Sequence, residues 1–247
     1  EKWLLPANLK KAEAEEVARV ERGLDVSGTD FGAYHALLRS QRTDWVRAHA
    51  LFEPAVVDAH AAQVAYVLRG PRPVSSILDL GSGPGTITAA LKRAFGARDA
   101  LGVEISSSAI AFAARAHPEC RFANVGLDAS TELGGRFDLI HGREFYPFTR
   151  TADIETHRGL FRLFRRLLHP GGAVVLAVLG TPKSLAATWP SLAAELGGMG
   201  FTGLERTHAA GDAVWPRLPP ALARGATRLY NGLRRRPPRH FFIARLG

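Results

Sequence analysis

Ile77-Leu78-Asp79-Leu80-Gly81-Ser82-Gly83-Pro84-Gly85-Thr86 is the stretch that decides the fold. Apolar residues around Asp79 predict a buried strand, and glycines at 81, 83 and 85 predict a loop. The run from Thr86 to Phe95 then returns to helical spacing. Strand, glycine loop and helix make a ligand-binding unit. Glycine accepts left-handed backbone and lets a ligand approach the main chain closely, while the helix start offers unpaired N–H groups and a partial positive charge. A nicotinamide dinucleotide site would want G-x-G-x-x-G, with its third glycine at position 86. Position 86 is Thr, and the third glycine is Gly85. The loop is also led by Asp79, an acid that sits poorly against a pyrophosphate and suits a cationic amine.

Glu104 ends the next β-like run, in DALGVEIS, 23 residues after Gly81. A carboxylate there can accept both hydroxyls of a ribose, because strand ends of an open α/β sheet converge on one crevice. An amine by Asp79 and a ribose by Glu104 describe S-adenosylmethionine better than a nicotinamide dinucleotide.

Further outward, β-like runs fall at 74–80, 100–104, 121–125, 137–141, 173–179, 201–207 and 240–246. Helical stretches at 86–95, 106–116 and 155–168 separate the first five. That rhythm predicts a doubly wound α/β domain, a mostly parallel seven-stranded sheet with helices on both faces. In the stretch 155–168, Leu160, Phe161, Leu163, Phe164, Leu167 and Leu168 form an apolar stripe, and arginines take the other side. His169-Pro170-Gly171-Gly172 then turns the chain into a buried strand. Residues 1–70 read as helices, for instance Pro54 to Leu68, and are expected to form an N-terminal cap. Residues 71–247 are expected to be the main domain, with an insertion at about 211–238.

The chain has 247 residues, 46% of them hydrophobic, enough for one generous domain with a real core. Its single cysteine, Cys120, excludes an internal disulfide framework and a cysteine-built zinc cluster. No apolar run reaches the roughly 20 residues that span a bilayer, and the charged start is not read as a secretory signal. A cytoplasmic protein is the expectation. The net charge of +9 is concentrated at the end: residues 201–247 carry nine arginines against Glu205 and Asp212. Arg234, Arg235 and Arg236 lie at its centre. Such a tail can attract phosphates, and it reads equally as a solvated basic face.

ILDLGSGPGT, LGVEIS, FDLIHGREF (Phe137 to Phe145) and LLHPGGAVVL (Leu167 to Leu176) together resemble the class I S-adenosylmethionine-dependent methyltransferases. The resemblance implies a Rossmann-like fold whose seventh strand is antiparallel, a place RHFFIARL (Arg239 to Leu246) would fill. It implies a cofactor site of Asp79, Gly81, Ser82, Gly83, Gly85, Glu104 and Ile105. Asp128, after the third strand, would stand near the adenine, with a plain helix N-cap as its competing role. Backbone groups of His141 and Gly142 would lie near the sulfonium, and Asp138 is read as a structural feature of a strand start.

Methyl transfer from a sulfonium is an in-line displacement, so the protein mainly positions the acceptor and removes its proton where required. Acceptor-side residues are expected in HGREFYPFTR, His141 to Arg150. Glu144 and Tyr146 could orient or deprotonate an acceptor, as could the histidines His157 and His35. Arg143 could hold an anionic group in a bidentate contact, and Tyr34 would close over the acceptor from the cap together with Trp45 and Phe52. Phe145 and Phe148 could pack a planar substrate, with ordinary core packing as the alternative for each. No Asn-Pro-Pro-aromatic run, cysteine nucleophile or magnesium-suited acidic cluster occurs in that loop, and no metal is expected. A small-molecule or glycan-like acceptor is the expectation. An RNA methyltransferase using the Arg-rich tail, and a non-catalytic cofactor-binding module, are the alternatives.

Overall fold

The computed structural model describes residues 54–68, 72–179, 182–208 and 239–247. The expected cap up to residue 53 and the expected insertion at 211–238 lie outside the described residues. Tyr34, His35, Trp45, Phe52 and the tail arginines 224 to 236 lie outside them as well.

The described chain runs α1 (Pro54–Val67), β1 (Ser76–Leu80), α2 (Thr86–Phe95), β2 (Asp99–Glu104), α3 (Ser107–Ala116) and β3 (Arg121–Asn124). It continues through β4 (Phe137–Arg143), α4 (Tyr146–Thr149), α5 (Ile154–Leu167), β5 (Leu168–Leu179), α6 (Leu185–Leu196), β6 (Phe201–His208) and β7 (Arg239–Leu246). The seven strands form one sheet in the order β3-β2-β1-β4-β5-β7-β6. All neighbours are parallel except β7, which runs antiparallel to both β5 and β6. Seven strands, mostly parallel, with RHFFIARL antiparallel, match the sequence expectation. Strand order reverses beside β1, and open sheets place ligands at that switch, outside the carboxyl ends of the strands.

Side chains of successive strand residues go to opposite faces, and the two faces have separate cores. Ile77, Leu139, Val175, Phe241 and Ile243 pack under α1 and α2 with Val57, Val64 and Leu91. Leu78, Ile140, Leu176 and Phe242 pack under α5 and α6 with Phe161, Phe164 and Leu192. The apolar stripe of α5 is buried as its spacing predicts, from Leu160 to Leu167. Asp153 caps that helix, its carboxylate accepting from the N–H groups of Glu155 and Thr156.

Two elements are absent from the sequence reading. Helix α6 contains Pro190, which removes one helical donor. It forms because Leu185, Trp189, Leu192 and Leu196 recur on one side and are buried. The other is α4, a single turn with Pro147 near its start.

Strand starts are tied by Asp138. Its Oδ2 accepts from the N–H groups of Ser75 and Ser76 at 2.9 Å each, which aligns β4 with β1. No helix among the described residues is long and apolar enough to cross a membrane.

Candidate functional site

The loop after β1 is built by left-handed glycines. Gly81, Gly83 and Gly85 have φ of 64°, 51° and 80°. Gly85 is doubly required. A Cβ there would lie 2.6 Å from the Phe122 ring and 2.9 Å from Ala113 Cβ. Gly102, on β2, is needed for the same reason, since a Cβ would meet both Phe122 and Ser82 Cβ at under 3.0 Å. The loop therefore lies directly on β2, and the Phe122 ring locks the two together.

Glu104 closes the same edge. Its Oε1 accepts from the N–H groups of Ile105 at 2.8 Å and Ser106 at 3.0 Å, and its Oε2 accepts from Gly83 N–H at 3.2 Å. A carboxylate held by three backbone donors has one orientation, and Oε2, which accepts a single bond, keeps a further lone pair for a ligand hydroxyl. The hydroxyls of Ser82 and Thr86 are buried with no hydrogen-bond partner. Buried polar groups are otherwise satisfied almost everywhere in proteins, so these orphans mark the loop as a place where a polar ligand completes the bonding. The open glycine backbone, the orphan hydroxyls and the fixed Glu104 fit an adenosyl amino acid.

Asp79 is 2% exposed. Its Oδ2 accepts from Thr88 Oγ1 at 2.6 Å, and its Oδ1 accepts from His141 Nδ1–H at 2.7 Å. His141 Nε2 in turn lies 2.9 Å from His60 Nε2, on α1. The carboxylate expected to stand open toward an amine is thus the hub of a buried network. The backbones of His141 and Gly142 are registered between β1 and β5, opposite Asp79 and Val175, and Leu80 and Leu176. What His141 brings to the network is its imidazole.

Beyond β4 the chain turns sharply at Glu144, the one described non-glycine residue with positive φ, at 52°. Its N–H donates to Ala177 O at 2.8 Å. The turn lays the Phe145 ring against Gly81, 3.2 Å from where a Cβ would stand. Left-handed backbone in a non-glycine residue carries strain, and such strain clusters at ligand sites. Arg143, Glu144, Phe145 and Tyr146, all partly buried, follow at the carboxyl end of β4, beside the glycine loop.

Three expected residues fall elsewhere. His157 is fully buried in α5; its Nε2–H donates to Pro147 O at 2.8 Å and its Nδ1 lies 2.7 Å from Thr188 Oγ1. It ties α4, α5 and α6 together and is not a base facing the crevice. Burial pushes its pKa below the ordinary histidine value, against partial opposition from the Pro147 carbonyl and Asp153. Phe148 is likewise core, packed on His157, Phe161 and Phe164. Asp128 is exposed and its Oδ1 accepts from Ser130 N–H and Oγ–H and from Thr131 Oγ1–H; it builds a local turn, and no helix follows for it to cap. Those bonds, from Ser130 first, hold its pKa below the usual carboxylate value. Cys120 is buried, and burial raises its thiol to about 11, which keeps it protonated and unreactive. Among the described residues no group of three or more His, Cys, Asp or Glu could hold a metal ion.

Comparison with known proteins shows what part of the chain resembles. Residues 77–172 match the family model of a methyltransferase domain. The trans-aconitate 2-methyltransferase of Deinococcus radiodurans is 30% identical over 151 residues, which cover 59% of this chain and 55% of that protein. The chain thus spans about half the length of that curated relative. A TehB-like SAM-dependent methyltransferase from Corynebacterium glutamicum shares the fold with a TM-score of 0.56 at 18% identity, over 86% of this chain and 99% of that one. The plantazolicin methyltransferase BpumL, solved in complex with SAH, does so with a TM-score of 0.53 at 14% identity, over 97% and 99%. Over residues 77–172 the chain is thus similar to a methyltransferase domain, and its fold is the one these solved methyltransferases share.

Proposed function

We propose that this chain transfers a methyl group from S-adenosylmethionine to an oxygen or nitrogen of a small-molecule acceptor. The observation that carries the reading is the joined pair of Gly83 and Glu104, a ligand-ready loop bonded to a pre-oriented carboxylate at the switch point of the sheet. In this reading Glu104 accepts the ribose hydroxyls, Gly81 to Gly85 pass close to the amino-acid portion, and Asp79 provides the negative charge for its ammonium. Ile105 packs beside the nucleoside, and Asp128 keeps its turn-building role.

The cofactor supplies an activated methyl group, so the work left to the chain is orientation and proton removal. Phe145 lies over Gly81 and would border the sulfonium, where an aromatic face attracts positive charge. Glu144, held in a strained turn, is the group placed to accept a proton from the acceptor, with Tyr146 beside it. Arg143 would take an anionic substituent of the acceptor in a bidentate contact. A small carboxylate acceptor is supported by Arg143 at this position and by the similarity to a trans-aconitate methyltransferase.

The test is methyl transfer from labelled S-adenosylmethionine to a panel of small carboxylates, phenols, amines and glycans, with RNA as the contrasting acceptor. Label transfer to a small acceptor carries the reading. Transfer to RNA alone moves the assignment to the basic tail, and cofactor binding without transfer to any cell extract reduces the chain to a binding module.

A further inference from the structure

Resting on the reading above, in which the cofactor's ammonium faces Asp79, we infer that His60 and His141 are positioning residues for that ammonium. Thr88, Asp79, His141 and His60 form one continuous buried chain of hydrogen bonds, drawn from α2, β1, β4 and α1. All four are at most 2% exposed. His60 is fixed from behind, stacked on Phe241 with ring centroids 5.9 Å apart and planes 25° apart.

The tautomers follow from the acceptors. A carboxylate only accepts, so His141 places Nδ1–H on Asp79, and its Nε2 then receives Nε2–H from His60. Three contacts are satisfied by two imidazoles and one hydroxyl. Among the described residues, the groups donating to Asp79 are the Thr88 hydroxyl and the His141 ring, and together they orient it. A buried carboxylate is costly, and a cation repays the cost. The arrangement fixes the carboxylate for a cationic ligand group. His60 supports the network at one remove, by holding His141 in the tautomer that donates.

Neither histidine touches the ligand in this account. Their loss should act on the ammonium contact and leave the nucleoside contacts at Glu104 alone. S-adenosylhomocysteine carries the ammonium, and 5′-methylthioadenosine keeps the adenosine and the sulfur but lacks the amino acid. The ratio of their affinities isolates the contact. Calorimetry on the full chain should show His141→Leu lowering the ratio at least tenfold, with methylthioadenosine affinity nearly unchanged. His141→Asn, whose amide N–H can replace Nδ1–H on Asp79, should restore most of the ratio. His60→Phe keeps a ring against Phe241 and removes the N–H donor, so it should lower the ratio several-fold even where His141→Leu fails to fold. An unchanged ratio in folded His60→Phe and His141→Leu, or equal losses for both ligands, overturns the inference. Failure of the unaltered chain to bind either ligand would instead overturn the proposed function.

Discussion

Gly83 N–H donates to Glu104 Oε2 at 3.2 Å, so the glycine loop after β1 and the acid that ends β2 behave as one unit. Glu104 Oε1 also holds the N–H groups of Ile105 and Ser106 at the start of α3. Replacing Glu104 with Ala removes a ligand contact and three backbone bonds together. Cofactor affinity should fall by about 1.5–3 kcal/mol, and the melting temperature should fall as well, because the freed N–H groups lose their partner. Calorimetry and thermal denaturation of the same sample separate the two losses. Binding equal to that of the unaltered chain would exclude Glu104 as the ribose ligand.

Gly85→Ala tests how the loop is held. The added Cβ meets the Phe122 ring at 2.6 Å, and the residue has φ of 80°. A destabilisation of about 2–4 kcal/mol is expected, part from the left-handed backbone and part from overpacking. Adding Phe122→Leu should recover the overpacking part alone. A double-mutant cycle in urea shows this as a favourable coupling of about 1 kcal/mol or more, whereas additive effects would mean that Phe122 does not clamp the loop.

His157 makes stability depend on pH. Its pKa is lowered by burial, so the unfolded chain binds a proton more readily than the folded one below about 6.5. Stability should therefore decline as pH falls through that value, and the decline ends once the folded-state pKa is passed. His157→Gln can still donate to the Pro147 carbonyl but does not titrate. Melting temperatures across the range from neutral to mildly acid should show a flatter dependence for the variant; an identical slope would assign the dependence to other groups.

The α5 stripe and the Gly81–Gly85 loop are legible in the sequence because each rests on local spacing. The antiparallel β7 was implied only by family resemblance, yet its alternating residues do fill both cores. The polar network was not legible, since His60 and His141 stand 81 positions apart and meet only through the packing of α1 on the sheet. A signal was present all the same. His60 lies on the stripe formed by Val57, Ala61 and Val64, and His157 lies one helical turn before Leu160 and Phe161. A histidine on an apolar stripe is a buried histidine with partners to find, which argues against His157 as a base in the crevice. Helix α6 is legible after the fact in the spacing of Leu185, Trp189, Leu192 and Leu196, although Pro190 interrupts it.

Arg143 and the basic tail divide the acceptor classes. For a small anionic acceptor, Arg143→Ala should raise the acceptor KM strongly. Neutralising Arg234, Arg235 and Arg236 together should then matter little, because Arg143 makes the acceptor contact in that case. For RNA the order reverses, and the triple change should flatten the salt slope of binding by up to about three. Acceptor affinity of both variants across a salt titration decides between them.

Whether the Gly83–Glu104 unit takes an adenosyl amino acid is tested most directly by calorimetric titration with S-adenosylhomocysteine, with NADH as the control. The account predicts saturable binding of S-adenosylhomocysteine, a melting temperature that rises with its concentration, and no binding of NADH. Saturable binding of NADH with none of S-adenosylhomocysteine would contradict it.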